Sequence, residues 1–233
     1  MSSEDDGILD RLESKESDVF LRGAAADVVF QCARCGQCCQ GEGYTIVDDQ
    51  DINRIADGMG VIPENIREAF TISDPENRPG MRIIKMIGPN NLCAFYDAEN
   101  KRCTIYESRP TICRTHPMMN VLQGYGLMLY THCLGASNLV NTLREEKDNP
   151  SVKKYLERLK RKKRVLKRLK IKLLIHILQR QGSKEKSEEV AQLYGIRLPL
   201  DMNDFRKACL AYLLLSIDLN DLDRYKYEGI QIQ

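Results

Sequence analysis

Phe30-Gln31-Cys32-Ala33-Arg34-Cys35-Gly36-Gln37-Cys38-Cys39 is the stretch on which the reading of this chain turns, because it packs four of the nine cysteines into eight residues. A two-residue gap between cysteines lets the chain curl until both sulfurs face one point, with backbone N–H groups turned toward them. Gly36 stands where such a turn often needs a left-handed residue. Four more cysteines follow, Cys93, Cys103, Cys113 and Cys133, with nine, nine and nineteen residues between them. Free cysteine is often simply buried, but four together beside Arg34, Gly36 and glutamines make a poor core segment. Metal ligation is therefore expected of Cys32, Cys35, Cys38, Cys39, Cys93, Cys103, Cys113 and Cys133. Cys209, on an apolar helical face with Leu210, Leu213 and Leu214, reads as core packing.

Cys32, Cys35 and Cys38 repeat at the spacing with which ferredoxins wrap a 4Fe-4S iron–sulfur cluster, a fourth thiolate arriving from a distant segment. Zinc more often takes two separated pairs, which this region also supplies. Adjacent Cys38 and Cys39 are expected to serve different sites, or only one of them to be a ligand, and eight thiols suffice for two four-sulfur sites. Aromatic residues are 6% of the chain with no Trp, so large core residues are scarce and a metal is a natural support for part of the fold.

The first ten residues are acidic and lack the basic start and apolar run of a secretory signal. No apolar stretch reaches the ~18–20 residues of a membrane span; the best, Ile171 to Leu178, is interrupted by Lys172 and His176. A soluble cytoplasmic protein is expected. In that reducing compartment clustered cysteines favour metal over disulfides, and an odd total fits a disulfide framework poorly.

Outward from the cluster, the pattern predicts an α+β fold: an irregular cysteine-rich metal-binding domain with short strands, followed by an all-helical C-terminal region. Residues 1–24 read as an acidic N-terminal helix or tail with an apolar stripe that includes Ile8, Leu9 and Leu12, 25–149 as the metal-binding domain, and 150–233 as the helical region. Val28-Val29-Phe30 reads as a strand feeding the metal turn. Asp48 to Met59, stopped by Gly58 and Gly60, reads as a helix, as does Glu64 to Phe70 behind Pro63. Asp74 to Gly80 is a loop and Met81 to Ile87 a strand. Met118–Gln123 and Leu127–Thr131 read as a hairpin around Gly124, Tyr125 and Gly126. One long helix is expected from Pro150 to about Gln181, with further helices at Lys184–Tyr194 and Asp201–Ile217.

The formal charge of +2 hides an imbalance, for residues 151–172 hold twelve Lys/Arg against the single Glu157. With Tyr155, Leu156, Leu159, Leu166, Leu169 and Leu173 near a helical period, this is a long basic amphipathic helix. A solvated helix compensated within its own domain is the leading reading. A nucleic-acid backbone and an anionic membrane surface stand behind it as partners, and a protein partner is also open.

Phe30 to Cys39, the Asp51-Ile52-Asn53-Arg54-Ile55-Ala56 segment, Cys93-Ala94-Phe95-Tyr96, Cys103-Thr104-Ile105-Tyr106-Glu107-Ser108-Arg109-Pro110 and Cys113-Arg114-Thr115-His116-Pro117 together resemble the CxxCxxCC cysteine-cluster family. That family is described as zinc- or iron-chelating or iron–sulfur-containing and is similar to the flagellin lysine N-methylases. The resemblance implies that the eight motif cysteines are the functional positions, and it transfers a cofactor class rather than a reaction. It departs at His116, where the family usually has an aromatic residue; packing is the first reading there and an added ligand the second. Arg109, Arg114 and Tyr106 recur in the motif, and an arginine near thiolates can offset their charge. No catalytic residue is identifiable. The expected function is a metal-binding cluster carrier or electron-transfer module, with a cluster-dependent protein lysine N-methylase-like enzyme and a zinc-stabilised nucleic-acid-binding protein as rivals.

Overall fold

The structure, a computed structural model, describes residues 15–40, 45–115, 133–180, 182–217, 220 and 226. The expected hairpin around Gly124 to Gly126, and the Ile8, Leu9 and Leu12 part of the apolar stripe, lie outside the described residues. The chain is α+β and divides into two compact units. One comprises described residues 32–40, 45–115 and 133–135, the other 15–31 and those from 136 onward. Composition placed the divisions after residues 24 and 149; contacts place them after 31 and 135.

Helix α1 (Lys15–Val29) opens the described chain. Val28 and Val29 form its last turn rather than the expected strand, and the Phe30 N–H still donates to the Ala26 carbonyl at 2.7 Å. Ala24, Ala25 and Ala26, all buried, favour helix, and burial of their face with Val29 outweighs the β-preference of two valines.

The cysteine unit is assembled from very short elements. β1 (Ile46–Val47), β3 (Arg82–Ile84) and β2 (Thr71–Ser73) form a small antiparallel sheet in the order β1-β3-β2. Between β1 and β2 lie α2 (Asp49–Met59) and α3 (Pro63–Phe70). Asp48 caps α2 by accepting the Asp51 N–H at 2.8 Å, and Gly60 ends it in the left-handed conformation. Two miniature hairpins follow, β4 (Met86–Ile87) with β5 (Leu92–Cys93), then β6 (Tyr96–Asp97) with β7 (Arg102–Cys103). The expected strand from Met81 to Ile87 is thus split between β3 and β4. Helix α4 (Thr111–Thr115) comes next. A core of Val47, Ile52, Ile55, Ala56, Ile66, Ile84, Phe95 and Ile105 holds these pieces, with Phe70 stacked on Phe95 at 4.6 Å between centroids.

The helical unit contains α1, most of α5 (Leu134–Glu146), α6 (Pro150–Arg161), α7 (Lys163–Arg180), α8 (Lys184–Leu193) and α9 (Met202–Ser216). Helix α9 is its axis: Phe205, Ala208, Cys209, Leu210, Ala211, Tyr212, Leu213 and Leu214 are all buried, and it packs chiefly on α6 and α1. Arg206 donates to the Val29 carbonyl at 2.8 Å, satisfying an end group that α1 leaves open. Lys170 pairs with Asp18 at 2.5 Å and Arg180 with Asp27 at 3.2 Å, so cations of α7 are matched by acids of α1, and His176 hydrogen-bonds to Asp27 at 2.9 Å.

The long helix expected from Pro150 to about Gln181 is two helices. At Lys162 the backbone leaves the helical region (φ −125°, ψ 93°); its N–H bonds to the Arg158 carbonyl, and its own carbonyl accepts from Val165. Residues 160–164 are five consecutive cations, offering this turn no apolar anchor, and like charges four apart weaken a continuous helix. The break leaves both Leu159 and Leu169 buried. Among the described residues no helix is long and apolar enough to cross a membrane.

Burial pushes the Cys209 thiol up from its ordinary value. Its folded pKa therefore lies above the unfolded one, so its contribution to stability is full below the unfolded pKa, roughly 8.5, and is lost as pH rises beyond it, at up to about 1.4 kcal/mol per pH unit. Cys209→Ala is expected to lose less stability than the parent between pH 8.5 and 10. Urea titrations at both pH values check this, and equal losses would contradict it.

Candidate metal centre

Six of the eight candidate ligands, Cys32, Cys38, Cys39, Cys93, Cys103 and Cys113, line one cavity of about 60 Å³ together with Arg34, Tyr96, Tyr106 and Arg109. A single water needs only ~10–15 Å³ on this measure. Cys35 and Cys133 are half-buried in the same unit but are not among the lining side chains. Among the described residues no three His, Cys, Asp or Glu groups stand together as the ligands of one metal ion. The six cysteines instead border one shared space.

Each thiol is placed by a short local device. The Arg34 N–H donates to Cys32 Sγ at 3.4 Å, the Phe95 N–H reaches the Cys93 sulfur, and the Ile105 N–H reaches that of Cys103. In all three cases the donor lies two residues after the cysteine. Cys93 and Cys103 each end the second strand of a hairpin, which leaves the following residue free to turn its amide back. Arg34 (φ 53°) and Gly36 (φ 74°) both take the left-handed conformation around Cys35. Cys38 and Cys39 sit on a single 3₁₀ turn, Gln37–Cys39, closed by the Cys39 N–H on the Gly36 carbonyl at 2.9 Å.

Cys113 depends on a longer chain of contacts. Asp51 of α2, 4% exposed, accepts from both the Thr111 N–H and its hydroxyl at 2.9 Å. This holds the start of α4, which carries Cys113. Asp51 also pairs with Arg54, whose Nε donates to the Arg109 carbonyl at 3.3 Å. The motif segment 51–56 thus supports the site through Asp51 and Arg54, without contributing a lining residue.

Cys38 and Cys39, expected to serve different sites or to supply only one ligand between them, line the same cavity and hydrogen-bond to each other. A 3₁₀ turn rotates successive residues by only about 120°, and both side chains reach the rim on which this turn sits. The bond from Cys39 brings the Cys38 thiol down to about 7, aided by the charge of Arg109, while donating that bond and burial drive Cys39 up. Burial raises Cys93 and Cys103 as well, and lifts Cys113 to about 12, with nearby thiolates adding to it. Cys38 ionises readily while Cys39, Cys93, Cys103 and Cys113 resist, because burial and the thiolates already present both oppose a further charge. A bound cation reverses that balance and releases the protons.

Tyr106 is gripped on its ring by two guanidinium groups, Arg109 at 3.6 Å and Arg34 at 4.5 Å from the centroid. Arg109 Nε also donates to the Tyr106 carbonyl at 2.6 Å. Tyr106 and Arg109 thus arrive at the cavity, while Arg114 lies on α4 outside its lining and His116 lies outside the described residues. The sequence reading missed Tyr96, whose ring closes over Gly36, and the buttress of Asp51. Both stand inside quoted motif segments, which was the available signal.

The family CxxCxxCC, described as "Putative zinc- or iron-chelating domain", matches residues 31–150. An uncharacterized protein of Methanocaldococcus jannaschii is 30% identical over 100 residues, covering 43% of this chain and 48% of that protein. The match therefore spans about half the length of that relative. No solved structure matches.

Gly36 supplies a test of this geometry. A Cβ there would collide with the Tyr96 hydroxyl oxygen and come within 2.5 Å of the carbon that bears it, and the left-handed backbone alone costs a non-glycine residue about 1–2 kcal/mol. Gly36→Ala is expected to open the 32–40 turn to hydrogen exchange, and adding Tyr96→Ala should recover only part of the protection because the backbone strain remains. Unchanged exchange in Gly36→Ala would contradict the placement.

Proposed function

The chain belongs to the CxxCxxCC family of zinc- or iron-chelating domains, and from that premise we propose that it is a cluster carrier or electron-transfer module holding a 4Fe-4S cluster at the six-thiol cavity. Zinc is the runner-up occupant. The observation that carries the reading is one cavity of about 60 Å³ bordered by six cysteines. A zinc ion with Zn–S of ~2.3 Å draws its sulfurs to within roughly 3.8 Å of one another, whereas a cluster needs room between them. A bound iron–sulfur cluster supplies one-electron redox chemistry.

The chain's own residues would do the rest. Cys32, Cys38, Cys39, Cys93, Cys103 and Cys113 form the proposed ligand pool at the cavity, and Cys35 and Cys133 complete the set of eight. The amides of Arg34, Phe95 and Ile105 donate to sulfur, which stabilises thiolate and raises the reduction potential of what it binds. Arg109, whose charge acts on Cys38 and Cys103, and Arg34 offset the negative charge that several thiolates accumulate.

Protein purified without oxygen is expected to contain iron and acid-labile sulfide in matched amounts and to absorb visibly. Colourless protein with stoichiometric zinc would move the reading to its runner-up, and protein with neither metal would refute both. Cys38→Ser and Cys103→Ser should each lose most of the metal while Cys209→Ser keeps it; equal contents in all three would refute the ligand pool. Binding of S-adenosylmethionine to the loaded protein would redirect the reading to a methylase-like enzyme.

Chelation is expected to expose amides of residues 32–115 while those of α6, α7 and α9 stay protected, since metal binding contributes on the order of 10 kcal/mol in small zinc domains. Hydrogen exchange resolved by segment checks this. Simultaneous exposure of both units, or of neither, would contradict a metal-dependent cysteine unit.

A further inference from the structure

We propose that the junction of α6 and α7 is a docking surface for a nucleic-acid strand, gripped through its phosphates without reading its sequence; this is independent of what the cysteines hold. Lys154, Lys162, Lys163, Arg164 and Lys167 are all exposed and form no ion pair among the described residues. Exposed Arg168 donates to a carbonyl, that of Gly195 at 3.1 Å, and to no carboxylate. The acids that do reach these helices serve other cations: Asp148 pairs with Lys153, Glu157 with Lys160 and Arg161, Asp18 with Lys170, and Asp204 with Lys172. Helix α8 packs on α7 and carries Glu185, Glu188 and Glu189, yet Glu188 pairs with Lys184 and none of the three pairs with the five. On α7, Lys163 with Lys167 and Arg164 with Arg168 stand four residues apart on shared faces. Like charges at that spacing weaken a helix, and no acid among the described residues pairs with the five.

The same helices disfavour the other anionic partners. A helix that lies in a bilayer surface needs an exposed apolar face beneath its cations, but Val152 and Leu159 of α6 and Leu169, Ile171, Leu173 and Ile175 of α7 are spent on the unit's core. The exposed large apolar residues of the helical unit, Leu193, Met202 and Leu215, lie on α8 and α9. A protein partner would ordinarily be met by an apolar patch within a polar rim, which this surface lacks. Tyr155 is occupied by Arg158 and by a hydrogen bond to Asp204, so among the described residues of α6 and α7 no ring is left free to stack and contact stays with the backbone. Cations alone, dense and unpaired, match a polyphosphate.

The test is fluorescence anisotropy of labelled 20-nucleotide single-stranded RNA, the same DNA, and duplex DNA with the full-length, metal-loaded protein between 50 and 300 mM salt. Engagement of five or six phosphates gives a slope of log K against log salt of about −4 on single strands. Lys163→Gln/Arg164→Gln/Lys167→Gln is expected to reduce that slope by about 2 and to weaken binding at low salt at least about tenfold, with helical circular dichroism and metal content unchanged. A preference for RNA, DNA or duplex identifies the source of the phosphates and supports the proposal in each case. No binding, or a triple variant with the parent's slope, overturns it. So does capture by phosphatidylserine vesicles in the absence of any nucleic-acid binding.

Discussion

Thiolates sharing one small cavity repel one another, and the cysteine unit is organised around that constraint. Cys38 ionises most readily because Cys39 donates to it, and burial together with the first charge then holds Cys113 near 12. Burial and mutual repulsion oppose further thiolates at Cys39, Cys93, Cys103 and Cys113, and a bound cation is the general means by which several thiolates come to coexist. The fold contributes what neutral and positive groups can, namely amides aimed at Cys32, Cys93 and Cys103 and the charge of Arg109 beside Cys38 and Cys103.

The units differ in how their stability is supplied. The helical unit has an extended apolar core centred on α9, with the ion pairs Asp18–Lys170 and Asp27–Arg180 from α1 to α7 at its margin. In the cysteine unit strands are two or three residues long and the main core has eight buried members. Strands that short contribute few ladder bonds, and small cores commonly need a metal or cross-link. Its architecture also fits that need, since each hairpin and the α4 helix ends at or carries a thiol.

Charge is sorted as unevenly as cysteine. The chain's formal +2 conceals a run of cations that the structure separates into two classes. Lys170 and Lys172 lie against acids of their own unit, whereas Lys162, Lys163, Arg164 and Lys167 are exposed and form no ion pair among the described residues. Composition could not make that distinction, because pairing depends on which helix faces reach α1 and α9. The helical stretch 136–149 adds a further subtlety: it falls within the family match yet packs with the helical unit.

What the sequence determined by itself was whatever is set within a few residues. The stop of α2 at Gly60, the start of α3 at Pro63, the Asp74 to Gly80 loop and the packing of Cys209 followed from local chemistry and periodicity. The cysteine spacing marked the metal-binding region in the same way. Tertiary structure alone decided that Val28 and Val29 finish a helix, that the basic segment breaks at Lys162, and that Cys38 and Cys39 share a cavity while Cys35 does not line it. It also decided that Asp51, far from any cysteine in sequence, anchors the helix bearing Cys113. The physical reason is one of range: spacing constrains where a side chain can point within a turn, but which sulfurs meet, and which helix turn finds apolar support, depends on contacts between residues tens of positions apart.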